Sequence, residues 1–221
     1  MKSNQDYKNS ALAALKGNWA AAVVTIIVLF AIMTVLVAPG TVSNMGRANG
    51  FQWGTMLYVM EGASFLITVF VLYPLSVGVS DSFRLLYAEN DTDLIRNLFR
   101  CGFRNWLHIV WGMFLMVLYV FLWSLLFVIP GIVKAYSYAM TPYIIVENPE
   151  LSANQAIDRS REMMRGRKFD LFYLHLSFIG WGILCLLTFG IGFLWLIPYM
   201  DTAQAAFYAD VKADREGRLR Q

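Results

Sequence analysis

Two residue types in unusual places set the chemistry open to this chain: Asp201 and His175. An aspartate near an imidazole can relay a proton or hold a cation, since the imidazole changes charge near neutral pH and the carboxylate can accept what it releases. Both lie in long stretches almost free of other charge, where an ionisable group is costly and marks a candidate site. Asp201 is ten residues past Ile191, about 15 Å of helix, and His175 is about 9 Å into its own apolar run. Adjacent antiparallel helices could bring the two together beside Pro198. The same pair could equally serve as a polar latch between helices. Glu61 and Lys134 make a second candidate pair, matched in depth near the outer ends of their segments, or else each reaches separately for the headgroups.

Other chemistry finds no support. No GxSxG, HExxH, P-loop or GxGxxG pattern occurs. Cys101 and Cys185 form no CxxC pattern and fall on different segments, as do His108 and His175, so neither a disulfide nor a metal site is expected. No cofactor is expected, and the chain reads as a non-enzyme.

The elements that must hold these residues are apolar helices. Hydrophobic residues make up 58% of the chain and charged residues 15%, against roughly 45–50% and about 25% in ordinary soluble domains. The charges gather in blocks. A net charge of +3 is too small to argue for nucleic acid. Six segments approach the roughly 20 residues a bilayer crossing needs: 19–38, 54–80, 106–129, 131–146, 169–187 and 191–210. The expected fold is all-α, a polytopic membrane bundle forming a single transmembrane domain over residues 1–221.

Charge sets the expected orientation. With the N-terminus inside, residues 1–18, 81–105, 147–168 and 211–221 carry sixteen of the eighteen Lys and Arg, leaving Arg47 and Lys134 outside. That asymmetry predicts both termini in the cytoplasm. The first outer turn, Pro39 to Trp53, is long and rich in Gly and Asn and the other two are short; too little projects outward for a receptor ectodomain.

The segments also repeat a plan, over about 3–80, 91–147 and 151–210. Each unit starts with an amphipathic cytoplasmic helix, closes it near a glycine (Gly17, Gly102, Gly166), and enters two spans. The second span of each carries a proline, Pro74, Pro142 or Pro198, expected to kink it. Ser152 and Gln155 match a capping box. The cytoplasmic helices present Arg96, Arg100, Arg104, Arg159, Arg165, Arg167 and Lys168, suited to anionic headgroups of the inner leaflet. These helices are expected to lie on the lipid surface, on the end of the bundle, or on both.

Several stretches carry a resemblance. They are Leu15-Lys16-Gly17-Asn18-Trp19, Pro130-Gly131-Ile132-Val133-Lys134-Ala135-Tyr136, Ser177-Phe178-Ile179-Gly180-Trp181, and Pro198-Tyr199 leading to Phe207-Tyr208. As a set they resemble a bacterial domain-of-unknown-function family of small multi-pass membrane proteins. A more distant similarity is to the membrane domain attached to some glycerophosphodiester phosphodiesterases, whose catalytic barrel has no counterpart here. The family has no established activity, so the resemblance implies a fold and a location, the bacterial inner membrane, rather than a reaction.

Two functions follow as expectations. The first is a non-enzymatic module that organises or senses the inner leaflet, with membrane lipids as partners and a homo-oligomer or a membrane-protein partner as further possibilities. The alternative is a small oligomeric transporter or channel using Asp201. A lipid-modifying enzyme has no motif behind it.

Overall fold

Local sequence writes most of the helix ends. In the computed structural model, which describes residues 2–48 and 55–219, every regular element among the described residues is helical. Helix α1 (Asn4–Leu15) opens on a capping box in which Ser3 and Asp6 satisfy each other's backbone N–H groups. These bonds hold the Asp6 carboxyl below its ordinary range, the Ser3 backbone N–H first and the Ser3 hydroxyl second. Gly17, at φ +87°, turns the chain into α2 (Trp19–Ala48). Left-handed backbone of this kind costs glycine nothing, because it has no Cβ to clash.

Helix α3 (Thr55–Ile67) runs through a π-helical turn (Thr68–Leu72) into α4 (Tyr73–Glu89). Pro74 sits in the first turn of α4. A proline has no N–H to give the preceding turn, and the wider π turn absorbs the mismatch. Asn90 in the left-handed region ends α4, and α5 (Leu94–Phe103) and α6 (Trp106–Leu126) follow. A turn at Phe127 leads to α7 (Val128–Tyr138) and α8 (Thr141–Glu147). Helix α9 (Ala153–Met163) starts on the expected capping box of Ser152 and Gln155. Gly166, at φ +80°, precedes α10 (Lys168–Leu176), and α11 (Ile179–Leu187) and α12 (Phe193–Leu219) complete the chain.

Among the described residues, four helical stretches are long and apolar enough to cross a membrane: Trp19–Leu36, Gly62–Glu89, Trp106–Leu126 and Lys168–Leu187. Their outer surfaces suit lipid. Leu125 to Ile129 at the α6–α7 tip, and Ile183, Leu186, Leu187 and Phe189 after them, are exposed apolar side chains. Such a surface is unfavourable in water and at ease in a bilayer.

The other two expected spans take a different form. Residues 131–146 divide at Ala139–Met140 into the end of α7 and the whole of α8, with Pro142 in the first turn of α8. Pro142 has no N–H to donate to the Tyr138 carbonyl four residues back, and its ring crowds that turn, so the helix breaks between Tyr138 and Thr141. Residues 191–210 lie within α12, whose 27 residues continue through a charged C-terminal part. Pro198 stays inside this helix, and the Thr202 hydroxyl donates to its carbonyl at 2.7 Å.

The buried core is organised around α12. Tyr7 packs edge-on against Phe207 with ring centroids 5.4 Å apart, and Tyr143 stacks on Tyr208 at 4.8 Å. A second cluster joins Leu15, Ile26, Leu75, Phe83, Leu94 and Leu98 from α1, α2, α4 and α5. All three expected amphipathic helices therefore bury one face on the bundle: Tyr7, Ala11 and Leu15 in α1, Leu94 and Leu98 in α5, and Ala156, Ile157 and Met163 in α9. Helix α9 is further pinned by Ser160, whose hydroxyl donates to Ser137 O at 3.0 Å and accepts from Met140 N at 3.2 Å, across the α7–α8 break.

Candidate functional site

Helix α5 is the element that combines exposed charge with exposed apolar surface. It lies against α4 with the two backbones in contact. Gly102 does not close α5 as its spacing suggested. It sits inside the helix, and a Cβ there would strike the Pro74 carbonyl oxygen, as one on Gly78 would strike that of Leu98. Gly102 thus serves approach rather than turning. That contact, with Leu94, Asn97, Leu98 and Cys101 buried, fixes the rotation of α5 about its axis. At 3.6 residues per turn, positions four apart then form stripes. Ile95, Phe99 and Phe103 make one exposed stripe, at 38%, 41% and 40% exposure. Arg96, Arg100 and Arg104, all exposed, make the stripe beside it.

Burial, and after it the neighbouring Asp81 carboxylate, push the Cys101 thiol up to about 12. It stays a thiol at neutral pH and behaves as core.

At its end α5 meets α6 in a corner. Asn105 reorients the chain, and Trp106 is anchored by its indole N–H donating to Phe70 O at 2.6 Å, with the two rings 5.7 Å apart. A cleft of about 850 Å³ opens there, between Phe103 to His108 on one side and Pro149 and Glu150 on the other. Arg104 and Glu150 both line it, and among the described residues neither makes an ion pair. The His108 Nε2 atom is buried without a hydrogen-bond partner among the described residues. No side chain caps the start of α6, so its first amide N–H groups face the corner unsatisfied by the helix.

The two residues the sequence singled out do not share a hydrogen bond. His175 Nε2 lies 3.2 Å from Gln204 Oε1, and its Nδ1 lies 3.4 Å from the Tyr136 hydroxyl. Phe178 packs against Tyr199 at 5.0 Å, so these contacts bracket Asp201 at the level of the α10–α11 junction. Asp201 is one turn before Gln204 on α12, and its carboxylate is within electrostatic reach of Tyr143, which Asp81 also reaches.

Lys134 stacks over Trp123 with its Nζ 4.3 Å from the ring centroid, and it is within electrostatic reach of Arg161 and Lys168. Docking of α9 on α7 brings Arg161 within that reach. The side chain of Glu61, and with it the Glu61–Lys134 pair, lies outside the described residues.

Of the seven basic residues expected at headgroups, Arg96, Arg100, Arg104 and Arg165 are exposed, while Arg159 and Lys168 are half-buried. Arg167 is a correction. It is 7% exposed and held by Asp210 at 2.6 Å and Asp170 at 3.5 Å. The left-handed Gly166 turns the chain inward just before it, toward α12. Tyr7 donates to the same Asp210 oxygen at 2.7 Å, and burial, followed by that bond, pushes its phenol well above the ordinary range. Lys8 donates to Ser177 O at 2.9 Å at the end of α10 and lies over the Phe178 ring.

Sequence reasoning passed over a larger ionic cluster. Arg84 binds both Asp81 and Glu147, the latter at 3.0 Å, and Glu147 also accepts from Tyr208 at 2.6 Å and Lys212 at 2.7 Å. This cluster ties α4, α8 and α12 together. The i,i+3 spacing of Asp81 and Arg84 was its one local signal. Glu147 and Lys212 are 65 positions apart, which no local pattern relates.

Residues 113–215 match the family described as Protein of unknown function (DUF975). The match runs from within α6 to within α12, so the similarity covers a little under half of the chain. Helix α5 and Arg104 to His108 precede the match, and Glu150 lies within it. No curated protein and no solved structure matches the chain.

Proposed function

We propose that this protein is a non-enzymatic membrane module that engages the inner leaflet through its cytoplasmic face. In this reading both termini, α5 and α9 face the cytoplasm, and the helices pair as α2 with α3–α4, α6 with α7–α8, and α11 with α12. Sixteen basic residues in the terminal segments and between the spans support that orientation.

The observation that carries the proposal is the pair of stripes on α5. Ile95, Phe99 and Phe103 can meet the interfacial layer while Arg96, Arg100 and Arg104 reach its phosphates. Each arginine near an anionic surface contributes about 1 kcal/mol. The helix leads directly into Trp106–Leu126, one of the stretches long enough to cross, so α5 is delivered to the membrane boundary by its own chain. Its other face is already committed to α4.

The test places a nitroxide at residue 99 or residue 96 of the full chain, with both native cysteines replaced by alanine, in liposomes containing anionic lipid. The label at 99 should collide more with oxygen, which concentrates in lipid, and the label at 96 more with a water-soluble nickel complex. Arg100→Glu with Arg104→Glu should move the label at 99 toward water. Equal water access at both positions in the parent protein would refute the reading.

A further inference from the structure

We propose that the cleft at the α5–α6 corner binds the headgroup of an aminophospholipid, with its phosphate on Arg104 and its primary ammonium on Glu150. This rests on the reading that α5 lies at the inner leaflet, and it adds a site with its own selectivity.

The argument starts from two opposite charges that face one space without meeting. Arg104 and Glu150 line the same cleft of about 850 Å³, yet among the described residues neither forms an ion pair. A ligand carrying both charges, spaced a few bonds apart, complements them, whereas an anion alone would be repelled by Glu150. On the arginine side the donors converge. The guanidinium matches phosphate oxygens with two parallel N–H groups. The uncapped first turn of α6 adds amide N–H groups at the favourable end of its dipole.

The carboxylate side selects among amines. A primary ammonium offers three N–H donors to Glu150, and a quaternary one offers none. The apolar lining decides the source of the headgroup. Phe103, Trp106 and Leu107 are exposed beside the charged groups, and Trp106 begins a stretch long enough to cross the membrane. A lipid can place its chains along α6 while its headgroup enters the cleft; a free phosphoethanolamine would leave that surface bare.

Native mass spectrometry of the full chain in detergent tests this, with dioleoyl phosphatidylethanolamine, phosphatidylglycerol and phosphatidylcholine offered in equal amounts. The parent protein should prefer phosphatidylethanolamine over both others. Glu150→Gln should lower that preference over phosphatidylglycerol by about threefold, the scale of one exposed ion pair. Arg104→Gln should weaken phosphatidylethanolamine and phosphatidylglycerol together. Both side chains are exposed, so neither change threatens the fold. An excess of soluble glycerophosphoethanolamine should not displace the lipid; displacement would overturn the lipid source. No preference in the parent protein, or a preference unmoved by Glu150→Gln, would overturn the site. Arg96→Gln with Arg100→Gln separates the two proposals. It should reduce phosphatidylglycerol adducts and spare the phosphatidylethanolamine preference, and loss of that preference would show that the cleft has no selectivity of its own.

Discussion

The α4–α5 crossing gives the sharpest test of how this protein positions its cytoplasmic face, through Gly78→Ala. Two effects oppose each other. Alanine stabilises a helix over glycine by about 1 kcal/mol. The new Cβ, however, would overlap the Leu98 carbonyl oxygen and approach the Gly102 backbone nitrogen to 3.2 Å. Both obstacles are main chain and cannot rotate aside. The helices must part along a seam where Leu75, Val79, Leu94 and Leu98 are buried. Overpacking a close-packed core costs about 1–3 kcal/mol, and backbone obstacles put this case at the upper end. The net loss is about 1–2 kcal/mol, or roughly 2–8 °C in Tm at about 2–4 °C per kcal/mol for a chain of this size.

Thermal unfolding in detergent, followed by circular dichroism, reads this directly. Gly62→Ala provides the control, since a Cβ there meets nothing within 4 Å and only the helix gain remains. Gly62→Ala should raise Tm and Gly78→Ala should lower it. Gly102→Ala should resemble Gly78→Ala, and the double variant should cost less than the two singles added, because one separation of the helices relieves both clashes. If Gly78→Ala melts at or above the parent temperature, the crossing has slack and the fixed rotation of the α5 stripes is wrong.

Further expectations concern buried groups away from that seam. Glu147→Gln leaves Arg84 and Lys212 short of a countercharge at a site 14% exposed and should destabilise the protein by about 2 kcal/mol, below the full cost of stripping a buried pair because Gln still accepts from Tyr208; a Tm within a degree of the parent would count against the cluster's role. Cys101, pushed up to about 12 by burial and then by Asp81, should resist maleimide at neutral pH in the folded protein and react once the chain is unfolded; prompt labelling of the folded protein at Cys101 would refute its place in the α4–α5 interface.

Much of the architecture is legible in the sequence because its causes are local. Capping boxes need residues three apart, so Ser152 and Gln155 announce the start of α9 by themselves. Apolar runs mark the membrane-compatible helices, and four of the six expected runs form stretches long enough to cross. Arg96, Arg100 and Arg104 stand four apart, and a helix of any rotation would align them. The runs at 131–146 and 191–210 show where hydropathy alone falls short, since Pro142 divides one and charged positions continue the other.

What the sequence by itself determined, then, is where helices start and stop, which are apolar, and which side chains share a stripe, since these depend on neighbours within a turn or two. Tertiary structure decided which way each stripe faces. Gly102 looks like a helix terminator until Pro74 is packed against it. Arg167 looks like a headgroup ligand until α12 brings Asp210 to it. His175 takes Gln204 and Tyr136 as its hydrogen-bond partners rather than Asp201, and Arg104 and Glu150, 46 positions apart, are brought to one cleft by the fold. The reason is the same in each case: periodicity specifies an angle around a helix axis, and only packing between helices sets where that angle points.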